Sequence, residues 1–266
     1  MVSPAPTGAQ WEQFATALSP LLRINQPMIL DSENLSKEGS LYVGNHTLYG
    51  FLDLPFMMAE IWSRYGVTVR GLGDNAHYNF PGWRNLLERC GMVRGTRENV
   101  HELMDLNQNV LVFPGGSREV NKRRGEKYRL MWKERIGFAK IAIEHGYPII
   151  PFAAVGAEEM FDVLLDEHNL LYARFSSLVQ RITGWPIHTI VKGMGPTLIP
   201  RPERLYFWFG KPIQTSDLEG KASTSNAKAI RDHVKAEIET GIDTLLRIRE
   251  SDPHRHISTR ILSDAR

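Results

Sequence analysis

Apolar positions along the chain follow two rhythms. Trp11, Phe14, Ala15, Leu18, Leu21 and Leu22 recur at helical spacing, so they predict an amphipathic helix, with Pro20 bending or ending it late. After it, short apolar runs alternate with helical stretches. Leu41 to Val43 reads as a strand ending at Gly44-Asn45-His46, and Phe51 to Tyr65 as a helix stopped by Gly66. A strand is expected from Val67. Helices follow over Trp83–Cys90 and Arg97–Leu106, after the break at Pro81-Gly82. Asn109 to Phe113 reads as a buried strand broken by Pro114-Gly115-Gly116, and Leu130 to His145 as a helix closed by Gly146. Pro148 to Val155 and Leu205 to Phe209 complete the strands. A long helix covers about Asn226 to Arg249, with Ile230, Val234, Ile238, Ile242 and Leu245 on one face.

Strands alternating with helices predict an α/β fold: a single domain whose largely parallel central sheet is flanked by helices, preceded by the N-terminal amphipathic helix. Residues 1–10, rich in Pro, Ala, Gly and Ser, are expected to be disordered. The domain is expected over 11–250, with a polar tail over 251–266.

Composition narrows the class. A chain of 266 residues with 42% hydrophobic and 23% charged positions can bury a core. Its single cysteine, Cys90, excludes a disulfide framework. The net charge of +2 does not argue for nucleic acid. No stretch offers about 18 uninterrupted apolar residues, so no spanning helix is expected. The N-terminus lacks the basic start and apolar run of a secretory leader.

Two loops stand out by position, because sites in open α/β sheets gather beyond the carboxyl ends of strands. Asn45-His46 follows one strand, and Pro114-Gly115-Gly116-Ser117-Arg118-Glu119 follows another. A histidine there can serve as general base, with Asp53 to orient it. The glycines let backbone N–H groups approach an anion or developing oxyanion, and Arg118 adds a fixed positive fork. The plainer reading is a loop histidine, a tight turn and an Arg118–Glu119 ion pair. From Arg118 to Arg135, eight basic residues face three acidic ones, which suits either a solvated face or an anion-binding rim. Other chemistries lack their patterns. There is no Gly-x-Ser-x-Gly elbow, no zinc helix and no phosphate loop, and Gly71-Leu72-Gly73 is only a loose dinucleotide fingerprint. His254 and His256 lie in a polar stretch with little to make them ligands, and no metal site is expected.

Four blocks in order resemble the glycerolipid acyltransferase superfamily, nearest its branch of diacylglycerol acyltransferases and plant phytyl ester synthases. They are VGNHTLYGFLD at 43–53, VFPGGSRE at 112–119, the stretch 126–156 with Ile150-Pro151, and RPERLYFWFGKPIQT at 201–215. The resemblance implies acyl transfer from a thioester, acyl-CoA or acyl-carrier protein, to a lipid hydroxyl, with no further cofactor. His46 and Asp53 would then be catalytic. Asn45, Gly115, Gly116, Ser117, Arg118 and Glu119 would line the substrate. Two departures stand out. Asp53 lies seven positions after His46 where the family has five. Contact then requires His46 to sit in the loop before the helix, with Tyr49-Gly50 making a turn. Position 115 is Gly where phosphate-recognising members have Glu, which favours a neutral glycerolipid or long-chain alcohol as acceptor. The expected setting is peripheral, at the cytoplasmic face of a membrane, through the N-terminal stripe and the basic run. The alternatives are a lysophospholipid acyltransferase, an esterase or lipase, and a non-catalytic lipid-binding module.

Overall fold

The computed structural model describes every residue except 1, 51, 80, 167, 184–188, 219 and 265–266. Thr7 caps the first helix, α1 (Gly8–Asn25), through a reciprocal capping box with Gln10. Then follow β1 (Met28–Leu30), β2 (Leu41–Gly44), α2 (Leu54–Tyr65), β3 (Arg70–Gly73), α3 (Pro81–Arg89), β4 (Val93–Arg94), α4 (Arg97–Asp105), β5 (Val110–Val112) and the short α5 (Ser117–Val120). The second half carries α6 (Gly137–Glu144), β6 (Ile149–Val155), β7 (Asp162–Leu165), α7 (Leu170–Thr183), β8 (Ile190–Lys192), β9 (Tyr206–Phe209), α8 (Thr224–Ser251) and α9 (Ile257–Asp264).

Seven strands form one sheet in the order β1-β9-β6-β2-β5-β3-β4. The pairs among β6, β2, β5, β3 and β4 are parallel, while β9 runs antiparallel to β6 and carries β1 parallel to itself. All seven residues of β6 are buried, as a central strand covered on both faces requires. Residues of α4, α6 and α8 pack on one face, and those of α1 and α2 on the other. The strands β7 and β8 form a separate antiparallel pair with α7 between them in sequence.

The predicted architecture holds; several local expectations do not. The N-terminal residues are anchored, because the buried guanidinium of Arg70 donates to the Ser3 carbonyl at 2.9 Å. The α1 stripe packs on the domain only in part: Trp11 and Ala15 are buried, with the Trp11 ring 6.2 Å from that of Trp62 on α2, while Leu21 is 51% exposed. The helix runs through Pro20 to Asn25. Residues 130–136 are not helical, since Trp132 turns into the core and Lys133 takes a positive φ of 51°. The expected polar tail folds back as α9, where buried Arg260 donates to the carbonyls of Ile24 and Pro202. The predicted start of α2 at Phe51 lies outside the described residues.

Candidate active site

β2 and β5 are parallel neighbours, with Leu41 opposite Val110 and Val43 opposite Val112. Their following loops therefore leave the same edge of the sheet, and they meet. The Tyr49 N–H donates to the Val120 carbonyl at 3.1 Å, and the His46 N–H donates to Glu119 Oε2 at 2.8 Å.

His46 sits in the loop ahead of α2. Tyr49 and Gly50 both have positive φ, 61° and 69°, forming the expected turn. Gly50 is required twice over. A side chain there would be strained, and its Cβ would lie 2.3 Å from His46 Cε1. The His46 ring stacks on Phe113, centroids 4.0 Å apart and 12° from parallel. Its Nδ1 is buried with no hydrogen-bond partner. Burial, then the positive charge of Lys122, pushes the His46 pKa down to about 3, so the imidazole is neutral at physiological pH.

The expected His46–Asp53 hydrogen bond is not formed. Asp53 precedes α2 directly and is buried, and its Oδ1 accepts from Thr47 Oγ1 at 2.9 Å. Thr47 thus holds the carboxylate that was expected to orient the ring. Burial raises the Asp53 pKa, opposed by the Thr47 bond.

Beneath His46 lies a buried charged cluster. Lys122 Nζ donates to the His46 carbonyl at 2.9 Å and pairs with Glu158. Glu158 Oε2 accepts the Tyr128 N–H at 2.7 Å. Glu119 takes the Met131 N–H at 2.7 Å on its other oxygen. Glu119, Lys122 and Glu158 are each 2% exposed or less. The backbone of His46 is therefore gripped from both sides, at N–H by a carboxylate and at C=O by an ammonium. Such charges are tolerated inside a fold only when paired and hydrogen-bonded, as these are. Burial raises the pKa of both Glu119 and Glu158, with Lys122 opposing.

Most of the residues expected to line the substrate are engaged by the protein. Asn45 is buried and exchanges both amide bonds with Ala154, at 2.9 and 2.8 Å, stitching the end of β2 to β6. Arg118 does not pair with Glu119; it forks onto Glu126 at 2.6 and 2.7 Å and reaches the Asn121 carbonyl. The Gly116 N–H donates to the Phe113 carbonyl at 3.0 Å, so that amide is not directed at an oxyanion. Arg135 closes the turn, donating to the carbonyls of Pro114 and Gly115 at 2.7 Å each. Gly115 has a separate reason: its Cβ would lie 2.0 Å from Glu119 Cδ. Ser117 opens α5, its carbonyl accepting from Asn121.

The basic run is consequently less of an open rim than its charge suggests. Lys122 is buried, Arg118 and Arg135 are bonded as described, and Arg124 donates to the Val163 and Leu164 carbonyls. Sequence reasoning missed Lys122, Glu158 and Phe113 as parts of the site. Lys122 is hidden among exposed basic neighbours, whereas Glu158, just past the end of β6, carried a usable signal in its strand-end position.

The arrangement holds a neutral imidazole in fixed geometry at the carboxyl edge of a parallel sheet. A family model described as Acyltransferase matches residues 28–155, which includes both His46 and Glu119. The chain is 33% identical to Phytyl ester synthase 2, chloroplastic, of Arabidopsis thaliana, over 88% of this chain and 36% of that protein. It is 29% identical to a Bos taurus enzyme named for synthesizing storage lipids, over 51% of this chain and 44% of that one. The chain thus spans less than half the length of these relatives. The crystal structure of the 1-acyl-sn-glycerophosphate acyltransferase of Thermotoga maritima shares the fold, with a TM-score of 0.53 at 15% identity, covering 86% of this chain and 78% of that one.

Proposed function

Because this chain belongs to the acyltransferase family, we propose that it moves a fatty acyl group from acyl-CoA or acyl-carrier protein to the hydroxyl of a neutral lipid, at a membrane surface. The observation that carries this reading is His46, a neutral imidazole clamped through its own backbone at the edge where the β2 and β5 loops meet. An alcohol is a poor nucleophile until a base takes its proton in the transition state. His46 accepts that proton as the alcohol oxygen attacks the thioester carbonyl carbon. The tetrahedral oxyanion collapses, the C–S bond breaks, and the leaving sulfur takes the proton back from the imidazolium. Atoms and charge balance, and His46 ends neutral. Asp53 is bonded to Thr47 and makes no hydrogen bond to the His46 ring, so the ring is positioned through its backbone and Phe113 instead.

A neutral acceptor fits the charges. The cations of the two loops, Arg118, Lys122 and Arg135, are all held by protein acceptors, leaving no ready fork for a phosphomonoester. A relative named for phytyl ester synthesis points the same way. No helix among the described residues is long and apolar enough to cross a membrane; peripheral attachment at the cytoplasmic face is part of the proposal.

The test is mass spectrometry of products after incubation with acyl-CoA and a panel of alcohols, for the wild type and His46→Ala. Esters of monoacylglycerol, diacylglycerol or long-chain alcohols are expected from the wild type alone. Acylation of lysophosphatidate only would overturn the neutral acceptor. Free fatty acid regardless of added alcohol would make the protein an esterase.

A further inference from the structure

The stretch between β6 and β9 inverts the usual placement of side chains. On α7, Tyr172 and Ser176 face inward and are buried. The apolar stripe faces outward, with Leu171 78%, Phe175 56%, Leu178 55% and Ile182 74% exposed. Their spacing of four, three and four residues places them on one side of the helix. The turn after β8 adds Leu198 and Ile199, at 72% and 59% exposed. That turn is ordered: the Gly193 N–H donates to the Thr197 carbonyl at 2.7 Å and the Met194 N–H to the Ile199 carbonyl at 2.8 Å. So much exposed apolar surface in one excursion marks an interaction face.

Charge selects the occupant. From residue 168 to 202 the chain has no Asp or Glu, while it has Arg174, Arg181, Lys192 and Arg201, of which Arg201 is paired with Asp162 on β7. Arg174 and Arg181 are exposed and flank the same side of the stripe, each one turn from a Leu or Phe. A second copy docking through the same face would set these arginines against their own kind. An anionic bilayer takes the apolar stripe into its acyl boundary and the guanidinium groups at its headgroups.

We infer that α7 is a membrane-docking helix that lies in the plane of an anionic bilayer, with Leu171, Phe175, Leu178 and Ile182 inserted. Its position serves the proposed transfer to a lipid, and in that respect the inference rests on that reading. The excursion borders the His46 loop, where the Tyr49 hydroxyl donates to the Thr189 carbonyl at 2.8 Å and Thr189 Oγ1 donates to the Lys122 carbonyl at 3.3 Å. A lipid acceptor leaving the bilayer beside α7 therefore has a short route to the base.

The experiment is vesicle flotation with the full chain, using phosphatidylcholine alone and phosphatidylcholine with one part in three phosphatidylglycerol. Two variants are compared, Leu171→Ser/Phe175→Ser/Leu178→Ser/Ile182→Ser and Arg174→Glu/Arg181→Glu, with folding checked by circular dichroism. The apolar quadruple variant should lose about tenfold or more of its partitioning to both vesicles, since four large side chains leave the interface. The arginine variant should lose only the preference for phosphatidylglycerol. Acyl transfer to a water-soluble short-chain alcohol should be unchanged in both. A quadruple variant that floats like the wild type overturns the inference. So does a wild-type dimer in lipid-free buffer that the same substitutions dissociate. Normal flotation of the wild type without any transfer would sink the transferase reading and leave the docking surface standing.

Discussion

The cluster beneath His46 and the α7 excursion break the same rule in opposite directions. Around His46, Glu119, Lys122, Glu158 and Asp53 are polar and buried, and each is bonded. Along α7, Leu171, Phe175, Leu178 and Ile182 are apolar and exposed. A fold tolerates charges inside when they fix a geometry it needs, and apolar surface outside when something else covers it. On the proposed reading, the first region positions chemistry and the second meets the lipid. Substitutions should therefore separate rate, stability and surface binding cleanly between them.

The largest effect is expected on rate. His46→Ala should lower ester formation by about 10²–10⁴-fold because it removes the base, while losing the stacking on Phe113 should lower the melting temperature only modestly. Steady-state assays with a thermal melt on the same sample check it; a large loss of stability would show that His46 is mainly structural.

Lys122→Met should act on stability first. It leaves Glu158 and Glu119 buried without their counter-charge, a change worth about 3–5 kcal/mol when one partner of a buried pair is removed. Denaturant unfolding of Lys122→Met, Glu158→Gln and the double variant should show the double costing less than the sum of the singles. Additive losses would mean that the two groups act independently.

Gly115→Ala should cost about 1–3 kcal/mol, as overpacking does, and should slow transfer because Glu119 must release the His46 N–H. In a Glu119→Ala background the same change should add little. If it adds its full cost there, the contact between Gly115 and Glu119 is not what makes position 115 glycine.

The smallest stability effect should come from α7. Phe175→Ser should shift stability by no more than about 0.5 kcal/mol, as for exposed positions. Trp11→Ala, on the buried part of the α1 stripe, should cost about 3–5 kcal/mol. Equal losses from the two would show that the apolar face of α7 packs against the domain after all.

The two stripes also show what was legible in the sequence. The α1 pattern identified a helix but not its cover, and Trp62 on α2 supplies that cover. Periodicity reports that a face is apolar; only the tertiary arrangement decides what lies against it. The parallel sheet was legible in the alternation of strands and helices, whereas the loops at 45–46 and 114–119 meet because β2 and β5 are neighbours, an adjacency only the structure gives. The bonding of Asp53 and Arg118 did not follow, because Thr47 and Glu126 compete for them at distances no spacing rule reveals. The stretch 130–136 reads as helical by composition, yet buried Trp132 and the Met131 N–H bond to Glu119 hold it in turns.

The most direct measurement is an NMR titration of the His46 ring, labelled at Cε1 and assigned by comparison with His46→Ala. With its pKa held near 3 by burial and Lys122, the native ring should stay neutral and its shift flat from pH 8 to pH 5. In the unfolded chain the same group titrates near its ordinary value of about 6.5. Its contribution to stability should then be complete above that value and decline as pH falls from there toward 3. A ring that titrates between pH 6 and 7 in the folded protein would contradict the account of a backbone-clamped neutral base.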